Sequence, residues 1–220
     1  MYKSIGFIRR RPDLTFDQFS THWRTRHRTE AEKLRRWLKG YVQAHLSMGP
    51  IPDIARPTDG CQMLWLDSPA DLAELAASEE MRTGAYIDEP RFMEARSSGL
   101  AVEETIIDLP RRGGVKLMLF ASPRDGQALP FDAAGGWLCP TAHACGHVRN
   151  RALAPHTTDP AYGFAGVEEL WWPDRAAFEA DWADATPLHA AGWCDPTRLK
   201  AAFVEEVVVF PPPEHVGEAA

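Results

Sequence analysis

The stretch GCQMLW at residues 60–65 recurs later in the chain as GVEELW at residues 166–171. Three further segments repeat in the same order: GYV at 40–42 as GHV at 146–148, VEETII at 102–107 as VEEVVV at 204–209, and, more loosely, YKSIGFI at 2–8 as VKLMLFA at 115–121. Four ordered matches are difficult to produce by chance. They predict that the chain is an internal duplication.

Each half of the duplication has the pattern of a β-α-β-β-α-β unit. In the first half, alternation of apolar and polar residues predicts strands at 3–9, 41–46, 61–66 and 101–108. Thr15 followed by Gln18 is a capping-box pair that predicts a helix start, and that helix should run to about Lys39. Ser68-Pro69-Ala70-Asp71 predicts a second helix start, with proline at the first helical position.

The predicted fold class is α+β. A ferredoxin-like unit covers one sheet face with helices and leaves the other face bare. Two units in one chain can bury those faces by packing sheet on sheet, as a pseudo-dimeric α+β barrel. We expect a first unit at residues 1–110, a second, degenerate unit at 114–212 and a flexible tail at 213–220.

The second unit is expected to lack a full first helix. The corresponding segment, residues 122–144, is rich in proline and glycine, and these residues interrupt helices. A site between helix and sheet should therefore be better kept in the first half.

Composition narrows the possible functions. The net charge of −7 argues against a nucleic-acid partner. No apolar run approaches the length of a membrane span, and the polar start MYKSIGFIRR does not resemble a secretory signal. Four cysteines at irregular spacing (Cys61, Cys139, Cys145 and Cys194) are then expected to be reduced thiols of a cytoplasmic protein. The chain has no P-loop, GxGxxG, GxSxG, HExxH or CxxC motif.

The segment FDQFSTHWRTRH, residues 16–27, carries the first candidate site. On a helix, one side presents Phe16, Phe19, Trp23, His27 and Glu30, whereas His22 falls off that side. Partial burial of His27 at the end of the apolar stripe would favour a neutral imidazole, which can accept a proton near pH 7. Glu30 could hold its other nitrogen. The alternative is a helix histidine that only hydrogen-bonds to its packing partners.

The second predicted strand carries a polar row. Tyr41, Gln43 and His45 share one face, which is either the solvent side of a sheet or the lining of a barrel interior. In the second case, Tyr41 could donate a hydrogen bond to a substrate oxygen and His45 could be a second acid or base.

The segment CPTAHACGH, residues 139–147, carries ligand types that suit zinc. On a strand, however, His143, Cys145 and His147 would lie ~6.6 Å apart per step and would not converge. We therefore predict no metal site and place His147 in a pocket lining or the core. The eight tryptophans are expected to be mostly structural.

The first half resembles the EthD family of the dimeric α+β barrel superfamily. The match is carried in order by Phe19, Trp23, His27, Tyr41, Asp59, Gly60 and Trp65. The second half matches only through its later strands, where His147 stands at the position of Tyr41. The resemblance implies a cleft between helix and sheet in each unit and mostly cofactor-free chemistry.

Similar proteins include muconolactone isomerases, polyketide cyclases, dehydratases and decarboxylases, and haem-using relatives also exist. One such isomerase uses a histidine at the position that His27 matches, with a tyrosine near that of Tyr41.

These observations predict a cofactor-independent lyase or isomerase acting on a small aromatic, lactone or polyketide-like metabolite. His27 would be the general base, and Tyr41 and His45 would polarise an oxygen. Substrate-binding positions would be Phe19, Trp23, Trp65 and His147. The protein would be a monomeric pseudo-dimer or a homodimer.

Two alternatives remain open. A non-catalytic carrier for a hydrophobic small molecule would have an enclosed apolar cavity with its histidines paired to backbone. A haem-using member would need a histidine at an open axial position.

Overall fold

The structure is a computed structural model that describes residues 1–48, 54, 56–107, 114–122, 124, 142–153, 164, 166–183, 195 and 197–213. These residues form two compact units. Unit 1 takes in the described residues within 1–47, 58–102 and 205–220, and unit 2 those within 48–57 and 103–204. The long strands β4 and β8, whose bounds are given below, each contribute residues to both units.

Unit 1 begins with a β-α-β-β-α-β succession. Its strands are β1 (Tyr2–Arg10), β2 (Gly40–Met48), β3 (Gly60–Leu66) and β4 (Met93–Ile107). Its helices are α1 (Phe16–His22), α2 (Arg28–Glu32), α3 (Pro69–Ala77) and α4 (Tyr86–Asp88). π-helical turns at Trp23–His27 and Met81–Ala85 join them, and a 3-10 turn, Glu89–Arg91, follows α4.

The sheet of unit 1 has the antiparallel strand order β4-β1-β3-β2. Unit 2 contains β5 (Val115–Ala121), β6 (Gly146–Ala152), β7 (Gly166–Trp172), α5 (Arg175–Ala183) and β8 (Lys200–Phe210). Its strands pair in the equivalent antiparallel order β8-β5-β7-β6. Each half therefore has ferredoxin-like strand order.

The strand register of unit 1 recurs in unit 2 at equivalent residues. In unit 1, Trp65 pairs with Lys3 on one side and with Gly40 on the other. In unit 2, Trp171 pairs in the same way with Lys116 and Gly146. The Lys3 ammonium lies 4.6 Å from the Trp65 ring centroid, and that of Lys116 lies 4.5 Å from Trp171.

Several predicted boundaries are confirmed and others differ. The Thr15–Gln18 and Ser68–Asp71 capping boxes both form, and Pro69 occupies the first turn of α3. The first helix ends at Glu32 rather than near Lys39 and is interrupted by a π turn. The closing strand of unit 1 begins at Met93, well before the predicted residue 101. The predicted degenerate helix at 122–144 lies mostly outside the described residues.

Two apolar clusters anchor the helices of unit 1 to its sheet. One joins Phe19 and Trp23 to Ile8 and Phe92, and all four side chains are buried. The other packs residues of α2, α3 and the second π turn on Tyr41, Leu64 and Leu66, with Val209 and Phe210. Burial of each large side chain contributes on the order of 1.5–3 kcal/mol to stability.

Within the described part of the chain, no helix has the length and apolar character needed to cross a membrane.

Candidate functional site

A cavity of about 390 Å³ lies between the helices and the sheet of unit 1. Such a volume suits a small organic molecule. Most of its wall is apolar, from Ala31, Leu34, Leu38, Leu64, Pro69, Leu72, Ala73, Leu75, Ala76, Met81, Ala85 and Tyr86. Its polar lining residues are Ser4, His27, Tyr41, Gln62, Glu89 and Arg96.

His27 reaches this cavity from the last position of the π turn. Its Nδ1 lies 3.1 Å from Oδ2 of Asp88, and both residues are 6% exposed. A carboxylate only accepts hydrogen bonds, so Nδ1–H of His27 donates and Nε2 is left as the proton acceptor. Phe92 packs against the imidazole at 4.9 Å between ring centroids.

The environment of His27 keeps the imidazole neutral. Burial lowers the pKa of His27, and hydrogen bonding and attraction from Asp88 offset part of that effect. Arg96 and His22 lower it further. Because the pKa lies below its ordinary value, the ring is neutral near pH 7 and can act as a base.

Tyr41 lines the same cavity from β2 and is 2% exposed. Burial raises the pKa of Tyr41 to about 12, although Gln43 and Trp23 act in the opposite direction. The phenol therefore keeps its proton at neutral pH and can donate a hydrogen bond.

Arg96 is the cation of the described cavity lining. Its Nη1 lies 2.6 Å from Oε1 of Glu89. Burial raises the pKa of Glu89, and Arg96 opposes that rise. Since Arg96 also lowers the pKa of both His27 and Tyr41, its positive charge acts on both groups.

Two polar groups of the sheet complete the lining. The Ser4 hydroxyl is fully buried and has no hydrogen-bond partner among the described residues. Strand register aligns Ser4 with Leu64 and Leu64 with Tyr41, in one row across the sheet. Gln62 precedes Leu64 by two residues on β3, so it faces the same side of the sheet. An unpartnered buried hydroxyl in a cavity wall is costly unless a ligand or water satisfies it.

The predicted polar row of β2 faces the helices rather than solvent or a barrel interior. Gln43 donates to the carbonyl of Trp23 at 3.0 Å. Nδ1 of His45 lies 3.0 Å from the Ser20 hydroxyl, and its ring is 4.5 Å from Trp23. Burial lowers the pKa of His45 to about 3, with a contribution from Arg24.

His45 does not line the cavity that contains His27 and Tyr41. Phe19 and Trp23 are also absent from that lining: they pack beside Gly60, where an added Cβ would lie 2.5 Å from the Trp23 ring. Trp65 lies on the opposite face of β3 from Gln62 and Leu64, and its ring contacts Lys3.

His147 lies in unit 2. Its Nε2 is hydrogen-bonded to Oε2 of Glu168, and Arg149 Nε is 3.8 Å from the other oxygen of that carboxylate. Of the predicted catalytic and substrate-binding residues, the cavity of unit 1 thus brings together His27 and Tyr41.

The residue that hydrogen-bonds to the second nitrogen of His27 is not the predicted one. Glu30 forms an ion pair with Lys33 at 2.6 Å, and Asp88 takes the role foreseen for Glu30. Asp88, Arg96 and Glu89 were missed because they follow the second helix, in a stretch without regular periodicity. The two adjacent acidic residues in YIDEP, residues 86–90, are the sequence feature that could have indicated this part of the site.

Among the described residues, no three His, Cys, Asp or Glu side chains are grouped so that they could hold a metal ion. His143 contacts Asp181 at 2.5 Å, apart from the His147–Glu168 pair. Cys61 and Cys145 form no disulfide among the described residues, and Cys139 and Cys194 lie outside those residues.

Fold and site together define a ferredoxin-like α+β protein with a helix-covered cavity and a buried His–Asp pair. Residues 11–96 match the family model of the EthD domain, which confirms the predicted resemblance. No curated protein matches the chain in sequence.

Solved structures with similar folds include an anthrone oxidase-like protein, 13% identical over 96% of this chain and 94% of its own, at a TM-score of 0.57. A candidate monooxygenase from Lactobacillus acidophilus NCFM is 6% identical over 94% of each chain, at 0.52. A mutant chlorite dismutase from Candidatus Nitrospira defluvii is 7% identical over 93% of this chain and 91% of its own, at 0.52. At these identities the likeness concerns the fold, and it confirms the predicted α+β class.

Proposed function

We propose that unit 1 is a general acid–base site of a small-molecule enzyme, a cofactor-independent lyase or isomerase. The observation that carries this proposal is a buried His27–Asp88 pair at the wall of a mostly apolar cavity. The substrate would be a small, largely apolar metabolite with a carbonyl, lactone or phenol oxygen.

His27 would start the reaction by removing a proton from a carbon next to the substrate carbonyl. The C–H electron pair moves into the C–C bond to form an enolate, and the carbonyl electrons move to oxygen. Asp88 stabilises the imidazolium that results. Tyr41 as a hydrogen-bond donor and Arg96 as a cation stabilise the negative oxygen.

The second half of the reaction returns the proton. In an isomerisation, His27 gives it to another carbon of the same enolate. In a dehydration, the enolate expels a β-hydroxyl group, which takes the proton from His27 and leaves as water. Both outcomes balance without an added oxidant or reductant.

The carrier alternative predicts histidines paired with backbone groups. His27 is instead paired with a carboxylate, an arrangement that raises the basicity of an imidazole. The EthD match and the enzyme names of the similar structures also support a small-molecule enzyme.

Haem fits the cavity poorly. Nε2 of His27 could bind a haem iron. A haem also carries two carboxylates, however, and these favour cationic partners. Arg96 is the one Lys or Arg side chain of the described lining, so a second haem carboxylate would have no cationic partner there. A visible absorption spectrum of the purified protein checks this, because a Soret band would contradict it.

The proposal is tested by deuterium incorporation in D₂O, followed by NMR on a panel of small ketones, lactones and phenols. A panel member that exchanges or converts with the wild type should do so about 100- to 10,000-fold more slowly with Asp88→Asn or His27→Gln. Glu30→Gln is the matched control, because Glu30 lies on the same helical segment without touching His27, and its rate should match the wild type. Turnover that survives His27→Gln would contradict the proposal.

A further inference from the structure

Asp88 holds two histidines, not one. Nε2 of His22 lies 3.0 Å from each carboxylate oxygen, and Nδ1 of His27 lies 3.1 Å from Oδ2. Phe92 supports both rings: it stacks on His22 at 5.1 Å and packs against His27 at 4.9 Å. The two imidazoles therefore share one buried anion and one aromatic neighbour.

The two histidines face different surroundings. His27 lines the internal cavity. His22 lines an open surface groove with Asp17, Gln18, Thr21, Thr25 and Arg26, and its side chain is 17% exposed. His22 is thus in contact with solvent, whereas His27 faces the cavity.

We propose that His22 is a positioning residue that fixes the Asp88 carboxylate and couples the proton affinity of His27 to the pH of the surrounding solution. This inference deepens the proposed function and rests on it, although its test needs no substrate.

The physical basis is competition for one negative charge. When His22 is neutral, its Nε2–H orients Asp88 without adding charge, and the carboxylate fully supports protonation of His27. When His22 is protonated, its positive charge neutralises Asp88 and repels a proton on His27. His27 then becomes a weaker base as the solution becomes more acidic.

Other charges face this cluster. Arg96, which is paired with Glu89, lowers the pKa of His27 more than His22 does, and it is present in the wild type and in every His22 variant. Arg91 Nη1 lies 3.8 Å from Asp88 Oδ1 and is largely exposed. Arg26 and Asp17 lie in the groove beside His22. Arginine keeps its charge throughout the pH range in which histidine titrates, so neither Arg26 nor Arg91 produces a pH dependence there.

The experiment is a pH titration of the His27 ring by NMR in the full chain. His22→Gln keeps an N–H donor for Asp88 but cannot be protonated, and His22→Ala removes the donor. In the wild type, the His27 curve should show two steps. In His22→Gln, it should become a single step, with its midpoint raised by about 0.5 pH unit or more.

His22→Ala should also give a single step, but its midpoint should differ from that of His22→Gln because Asp88 is no longer held. Arg26→Gln is the control, since it removes a solvent-screened charge from the same groove and should leave two steps. A His27 curve in His22→Gln that superimposes on the wild type would overturn the inference. That result would leave the deuterium-exchange test of His27 unaffected, so the two failures are distinguishable.

Discussion

The two halves of the chain keep the same strand frame but carry different polar groups on it. Lys3 pairs with Trp65 in unit 1 as Lys116 pairs with Trp171 in unit 2. At the register positions of Tyr41 and Gln62, however, unit 2 has His147 and Glu168, which are hydrogen-bonded to each other.

The contrast extends to the first strand of each half. Ser4 has an unpartnered hydroxyl in the cavity wall of unit 1, whereas Leu117 occupies the corresponding position in unit 2 and belongs to an apolar cluster. The pairs that set strand register are thus the same in both halves, whereas the cavity-facing positions differ. In unit 1 the hydroxyls of Ser4 and Tyr41 line the cavity and can bind a ligand, whereas in unit 2 His147 and Glu168 already satisfy each other.

The largest expected effect distinguishes the two halves directly. His27→Gln should lower turnover by about 100- to 10,000-fold, the usual contribution of a general base. His147→Gln should lower it by far less, since His147 lies in unit 2. Steady-state rates of both variants on one substrate give this comparison, and equal losses would contradict the assignment of the site to unit 1.

Tyr41→Phe should have the next largest effect. Loss of one hydrogen bond to a developing oxyanion costs about 100- to 1,000-fold in kcat, with a smaller change in KM. The pH–rate profile should keep its shape, because the phenol of Tyr41, with its pKa raised to about 12, does not titrate in the working range. A Tyr41→Phe variant with wild-type kcat would remove Tyr41 from the mechanism.

Gly60→Ala tests the packing that holds the first helix of unit 1. The new methyl would meet the Trp23 ring at 2.5 Å, and we expect a loss of about 1–3 kcal/mol in the free energy of unfolding. Gly84→Ala is the control: its methyl would approach only the end of the Glu30 side chain, which can move away. Urea denaturation of both variants measures the difference, and equal stabilities would show that Gly60 does not set this contact.

His45 should make unit 1 sensitive to acid. Its pKa of about 3 in the folded state lies below its ordinary value, so unfolded chains bind this proton first as the pH falls. Stability from this group is complete above about pH 6.5 and should decline by about 2–3 kcal/mol by pH 4.5. His45→Gln should flatten that decline in urea denaturation series at the two pH values. If His45→Gln and the wild type lose the same stability between the two pH values, His45 takes up its proton in the folded state as readily as in the unfolded state, which contradicts the prediction.

Sequence periodicity was sufficient for the first three strands of unit 1 and for its two capping-box helix starts, because alternation and capping pairs are local features, but it missed the first eight residues of β4. The motif residues were harder to interpret, since Phe19, Trp23 and Gly60 serve packing while His27 and Tyr41 reach the cavity. Asp88 could not be foreseen as the partner of His27: it is 61 residues away in the chain, and only the π turns and tertiary packing bring the two together. Glu30 had the right helical spacing but is paired with Lys33.

The central claim is that His27 presents a bare, neutral Nε2 to the cavity while Asp88 holds its Nδ1–H. Nitrogen-15 NMR of the His27 ring at neutral pH tests it most directly and requires no substrate. We predict the Nδ1–H tautomer in the wild type and a change of tautomer or proton affinity in Asp88→Asn. A His27 ring that is fully protonated at neutral pH, or that carries its proton on Nε2, would contradict the account.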